Sequence, residues 1–251
     1  MLVRLGAVAT FAACVVGGLV GFASSLLLLP VLLLLGVPLA DAVTLNLGLA
    51  VLTRLPSVIA LRALVDRHRT TAMLAGSVPG IAVGVGLAAV VPVVGLELAA
   101  GLVVLLSGLY LLWWPAAPPR QAGTRWSLAA GAGACSGALG VTTSLNGVPP
   151  AVLLARSGED VRHRLADLSV FFAVGNCLVI GALAATGGLS SGLAPATVAV
   201  WLGAGLAGNA VGLRLTGLVD RRRFDVATTW LVLLSGAGSL VGTTLEHLGP
   251  G

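Results

Sequence analysis

Two apolar stretches, residues 5–36 and 126–155, are longer than one membrane helix needs, and each is broken by a run of small and polar residues. The breaks read Gly21-Phe22-Ala23-Ser24-Ser25 and Gly140-Val141-Thr142-Thr143-Ser144. A helix crossing the hydrocarbon core takes about 20 residues. Six further apolar segments, 41–62, 70–92, 94–114, 165–186, 193–217 and 225–245, each fit one span. Only 9% of the residues are charged and 57% are hydrophobic, too little charge to cover a water-soluble domain of 251 residues. The chain therefore reads as an all-α polytopic membrane protein that is nearly all spans. Its 35 glycines would weaken soluble helices, but in a bilayer small residues let helices approach closely.

All 14 basic side chains are arginine. Most fall in short loops and read as topology anchors, so the net charge of +5 is no nucleic-acid signal. If each long segment crossed once, Arg62, Arg67 and Arg69 would face the opposite side from Arg156, Arg162 and Arg164. If each is a hairpin that enters and leaves on one side, loops 62–69, 115–125, 156–164 and 218–225 share one face. That face then holds 11 arginines, and the loops near 37–40, 92–97 and 187–194 hold none. The positive-inside rule selects the hairpins and makes the arginine-rich face cytoplasmic. Charge bias does not separate a re-entrant hairpin from two full crossings.

The chain also repeats itself. A shift of 119 residues carries Gly18, Gly21, Ser25, Leu26 and Pro30 onto Gly137, Gly140, Ser144, Leu145 and Pro149. A shift of 128 carries Leu105-Leu106-Ser107-Gly108 onto Leu233-Leu234-Ser235-Gly236. Gly80 and Gly84 fall on Gly208 and Gly212 by the same shift. These matches keep their order and indicate a duplication, residues 1–117 and 118–251, joined in the loop Pro115–Arg125. Each repeat holds one broken helical hairpin and three transmembrane helices. One repeat starts outside and the other inside, so the two are expected to be inverted.

Polar breaks in the same place of both halves mark a solute site. The second arms start just after Ser24 and Ser25, and just after Thr143, Ser144 and Asn146. Hydroxyls and Asn cap such starts, Pro149 and Pro150 suit a first turn, and Gly147 gives the backbone room. Free N–H groups and positive dipole ends would converge there, a geometry for a small anion. The candidate substrate-binding residues are Ser24, Ser25, Arg54, Thr142, Thr143, Ser144, Asn146, Gly147 and Asn176. Arg54 lies well inside a span, where a charge costs about 3 kcal/mol on insertion scales and usually faces a cavity or a partner. Its alternative role is pairing with Asp167. Asn176 takes the place of Arg54 in the second half, and Asn46 and Ser169 add polar lining. Ordinary helix breaks, with hydroxyls bonded to backbone, are the structural alternative. Cys14, Cys135 and Cys177 form no CxxC pair and read as packing residues. No metal cluster, catalytic set, nucleotide motif or cofactor site is found, which argues against an enzyme.

The stretch Gly137-Ala138-Leu139-Gly140-Val141-Thr142-Thr143-Ser144-Leu145-Asn146-Gly147-Val148-Pro149-Pro150 resembles the sulfite exporter TauE/SafE family of membrane transporters. Arg164-Leu165-Ala166-Asp167-Leu168-Ser169 also fits that family's basic residue before a polar-marked span. The first half departs from the pattern, a family-like glycine cluster being replaced by Gly21-Phe22-Ala23-Ser24-Ser25. The resemblance implies transport, with export favoured, of sulfite or a related sulfur-containing or organic anion across a bacterial plasma membrane. Alternating access, membrane lipids as surroundings and a proton as candidate coupling ion complete that expectation. A passive anion channel and a structural membrane protein without transport are the competing readings.

Overall fold

The structure is a computed structural model that describes residues 2–20, 23–113, 125–155, 157–189, 192–216 and 221–248. Gly21 and Phe22 of the first break, most of the expected repeat boundary at 115–125, and Arg156 lie outside the described residues. The described chain is helical and contains no strand. Its helices are α1 (Leu2–Val20), α2 (Ala23–Leu34), α3 (Leu39–Leu61), α4 (Arg67–Val90), α5 (Val93–Trp113), α6 (Trp126–Thr143), α7 (Val148–Ala155), α8 (Val161–Ala185), α9 (Pro195–Thr216) and α10 (Arg221–Leu248).

Both long apolar stretches are two helices rather than one. Their second arms, α2 and α7, have 12 and 8 residues. At 1.5 Å per residue those are about 18 and 12 Å long, short of a ~30 Å hydrocarbon core. Among the described residues six helices are long and apolar enough to cross a membrane: α1, α3, α4, α5, α8 and α9. The expected span at 225–245 lies within α10, which is not one of the six. Large apolar side chains point outward, among them Val8, Ile59, Val90 and Leu234, as a lipid-facing surface requires. Of the three cysteines only Cys14 is packed inside; Cys135 and Cys177 are exposed.

Packing is dominated by pairs that join the two halves: α4 with α6, α1 with α9, α5 with α10, and α3 with α8. Exchanging each helix for its counterpart in the other half turns this set into itself. Small residues make the approach possible. A Cβ on Gly76 would lie 1.9 Å from the Ala130 carbonyl oxygen, and one on Gly133 would lie 1.9 Å from that of Met73. No larger side chain fits there without moving a helix. Gly108 faces Leu233 while Gly236 faces Leu105, so two equivalent segments contact each other reciprocally.

Helix directions follow from the contacts. Gly76, Gly80 and Gly84 meet Ala130, Ala134 and Ala138 in order, so α4 and α6 run parallel. Gly208 and Gly212 meet Phe11 and Val15, so α1 and α9 do too. The Asp66 backbone N–H, just past α3, donates to Asp167 Oδ1 near the start of α8 at 2.8 Å. The Gly192 N–H, past α8, donates to Asp41 Oδ1 near the start of α3 at 2.9 Å. Thus α3 and α8, counterparts in the two halves, run antiparallel at the centre.

Candidate functional site

The two breaks meet in the middle of the bundle, level with the central turns of α3 and α8. Asn46 of α3 joins them. Its Nδ2 donates to the Ser144 hydroxyl at 3.0 Å and to the Ser25 carbonyl at 3.4 Å. One side chain therefore touches the first break and the second, 98 residues apart in sequence from its Ser144 partner. Asn46, Ser25 and Ser144 are all buried. Ser144 sits in the left-handed region (φ 54°) as the C-cap of α6, where the backbone turns out of the first arm. A serine in that region is uncommon and fits a tight turn at a site.

Each half then braces its own break from its third helix. In the first, Arg54 of α3 donates from Nη1 and Nη2 to the Gly17 carbonyl at 3.3 and 3.2 Å, and from Nη2 to Ser24 Oγ at 3.5 Å. Gly17 is in the last turn of α1, so the guanidinium faces that helix's negative end. In the second, Asn146 Nδ2 donates to Asn176 Oδ1 of α8 at 2.6 Å. The Asn146 carbonyl accepts from Ser136 Oγ at 2.6 Å. Arg54 and Asn176 hold equivalent posts, one charged and one neutral.

Arg54 is 2% exposed, and among the described residues no carboxylate pairs with it. The alternative partner, Asp167, is engaged elsewhere: its Oδ2 accepts from Arg69 Nε at 2.7 Å and from Arg69 Nη2. The structure thus decides against an Arg54–Asp167 pair. Pro56, two residues after Arg54, lacks the N–H that would bond the Leu52 carbonyl and loosens this part of α3. Asn209 of α9 donates to the neighbouring Thr53 carbonyl at 2.7 Å and ties α9 to this part of α3.

Not every sequence candidate points into this centre. Thr142 and Thr143 spend their hydroxyl protons on carbonyls of their own helix, Ala138 at 3.0 Å and Leu139 at 3.2 Å. Gly147 is buried, and its carbonyl accepts from the Ala151 N–H as the first bond of α7. Pro149 and Pro150 remove two of the four N–H groups that an ordinary first turn leaves free, so α7 presents a poorer donor set than α2. The breaks also bring the negative ends of α1 and α6 to the same place as the positive ends of α2 and α7. Dipoles alone therefore do not make the centre positive; the guanidinium of Arg54 does.

Two arginines read from sequence as loop anchors are buried within helices. Arg69 is 2% exposed and Arg164 is 1% exposed. Arg69 pairs with Glu159 and Asp167 of the other half, and Arg164 Nη1 pairs with Asp225 Oδ1 at 2.5 Å. The partners are far apart in sequence, and no local spacing connects them. No group of three metal-ligating side chains occurs among the described residues.

Compared with known families, residues 5–239 match the one described as Sulfite exporter TauE/SafE. Comparison with curated proteins and with solved structures returns no match.

Proposed function

The chain belongs to the sulfite exporter TauE/SafE family, a family of membrane transporters, and from that premise we propose that it moves a small oxyanion, sulfite or a related sulfur-containing or organic anion, outward by alternating access. The observation that carries this is the meeting of both breaks at Asn46, beside a buried arginine without a carboxylate partner among the described residues. A small anion placed there gains one full positive charge, the N–H groups at the start of α2, and neutral amides from Asn46, Asn146 and Asn176. Those donors replace hydration without a second buried charge.

Alternating access is supported by the packing. Counterpart helices α3 and α8 run antiparallel, as do α5 and α10, which is the relation expected of inverted repeats. The short second arms favour re-entrant hairpins. In this reading the arginine-rich loops are cytoplasmic, and the membrane is the bacterial plasma membrane. A proton gradient or the substrate's own gradient drives transport.

The test is flux of labelled sulfite in proteoliposomes, with and without an imposed proton gradient. Saturable flux that follows the gradient is expected. Saturable flux indifferent to the gradient removes proton coupling, and linear, unsaturable flux makes the protein a channel. No flux with sulfite or with organosulfonates, in vesicles shown to hold folded protein, contradicts the anion reading.

A further inference from the structure

The antiparallel pair α3–α8 is tied at both ends, and the ties are unequal. At the arginine-rich end, Arg69 of the first half grips two carboxylates of the second. Its Nη1 and Nη2 donate to Glu159 Oε1 and Oε2 at 2.9 and 2.6 Å, and its Nε donates to Asp167 Oδ2 at 2.7 Å. Asp167 Oδ1 meanwhile accepts from the Asp66 backbone N–H at 2.8 Å. A forked guanidinium between two carboxylates is a strong and directional contact. At the other end the counterpart tie among the described residues is one hydrogen bond, Gly192 N–H to Asp41 Oδ1 at 2.9 Å. Among the described residues no ion pair reinforces it.

The space beside the two ties differs in the same sense. Next to Asp41 a cleft of about 190 Å³ opens between α3 and α9, lined by Asp41, Thr44, Gly48, Leu52, Leu193 and Leu202. It follows α3 as far as Leu52, two residues short of Arg54. A Cβ added to Gly48 meets nothing within 4 Å. On the opposite side of Arg54, toward the arginine-rich end, Ser57 is 2% exposed, and its hydroxyl has no partner among the described residues.

We propose that Arg69, with Glu159 and Asp167, is the gate that seals the arginine-rich end between the halves, and that this structure is the conformation closed there and held, among the described residues, through the lone Asp41 contact at the other. The inference rests on the alternating-access reading. It adds which end is shut and which side chains shut it. Opening requires Arg69 to leave Asp167 and the Asp66 N–H to part from the same carboxylate, so one residue couples the loop after α3 to the start of α8.

Sided cysteine labelling tests this in full-length protein whose Cys14, Cys135 and Cys177 have been replaced. Ser57→Cys reports the arginine-rich side and Gly48→Cys the opposite side, with a membrane-impermeant maleimide added to one face of sealed vesicles. With the gate intact, Ser57→Cys is expected to resist reagent from the arginine-rich side, while Gly48→Cys reacts from the other. The pair Arg69→Gln/Asp167→Asn removes both charges together and leaves no lone buried ion. It is expected to speed Ser57→Cys labelling by at least about tenfold and to slow Gly48→Cys labelling, as a population shift demands. Glu159→Gln, at the half-exposed rim, gives a smaller change in the same directions.

Equal labelling of Ser57→Cys with and without the gate overturns the proposal. So does continued protection in both variants, in protein shown to be folded. Labelling needs no sulfite. Altered accessibility without sulfite flux therefore keeps the gate and removes the substrate assignment, whereas sulfite flux with unaltered accessibility removes the gate alone.

Discussion

The two halves of this protein share a backbone plan and differ in what they place at its centre. In the first, Arg54 faces the last turn of α1 and reaches Ser24. In the second, the equivalent post holds Asn176, which meets Asn146 without charge. The second arms differ as well: α2 begins with Ala23, Ser24 and Ser25, whereas α7 begins with Val148, Pro149 and Pro150 and offers fewer N–H donors. The halves match in their packing contacts and differ in the residues where the two breaks meet. In the proposed anion site, the first half would hold the charged end of the solute and the second would supply neutral contacts.

The comparison is broken most directly at its charge. Arg54→Gln is expected to lower sulfite transport about 10- to 100-fold, since hydrogen bonds to a charged group contribute about 1.5–3 kcal/mol. Thermal stability should hold or rise, because a buried charge without a carboxylate partner has been removed. Unchanged flux in proteoliposomes would show that Arg54 only caps α1.

The shared packing is tested by matched pairs. Gly80→Leu and Gly208→Leu occupy equivalent positions against the Ala134 and Phe11 carbonyls. Each should destabilise by at least about 1–3 kcal/mol through overpacking, and by similar amounts. Unfolding temperatures in detergent would expose unequal halves if only one variant fell.

Asn176→Ala should cost less than loss of Arg54, about 0.5–1.5 kcal/mol or some 2- to 13-fold in sulfite affinity. An effect as large as that of Arg54→Gln would shift the charged end of the anion toward the second half. The smallest change is expected from Thr143→Val. That hydroxyl already bonds its own helix, so sulfite affinity should move by less than about twofold, within the ±0.5 kcal/mol of substitutions away from special features.

Much of the plan was legible in the sequence because a bilayer imposes strong rules. The two over-long stretches are each a long and a short helix, although a Gly- and Ser-rich run alone does not stop a helix, since α10 continues through Ser235-Gly236-Ala237-Gly238-Ser239. The breaks themselves marked Ser24, Ser25, Ser144 and Asn146, and the position of Arg54 inside a span marked it as unusual. What could not be read was pairing. Arg69 looked like a loop anchor because it follows Arg67 and His68, yet it is buried against two carboxylates 90 and 98 residues away. Asn46 read as one more polar side chain in a span, and only the fold brings both breaks to it. The hydroxyls of Thr142 and Thr143 turned toward their own carbonyls, a choice made by rotamer and helix geometry that composition does not reveal. The expectation of a positive centre from helix dipoles also needed the fold, since each break carries one helix end of either sign.

The central claim is that both breaks form one anion site. Equilibrium binding of labelled sulfite to the purified protein tests it most directly, using Arg54→Gln for the first half, Asn146→Ala for the second and Asn46→Ala for the residue that joins them. The account predicts one saturable site per chain, weakened by all three substitutions and most by Arg54→Gln. Sulfite affinity unchanged in all three, or two sites each sensitive to one half alone, would contradict it.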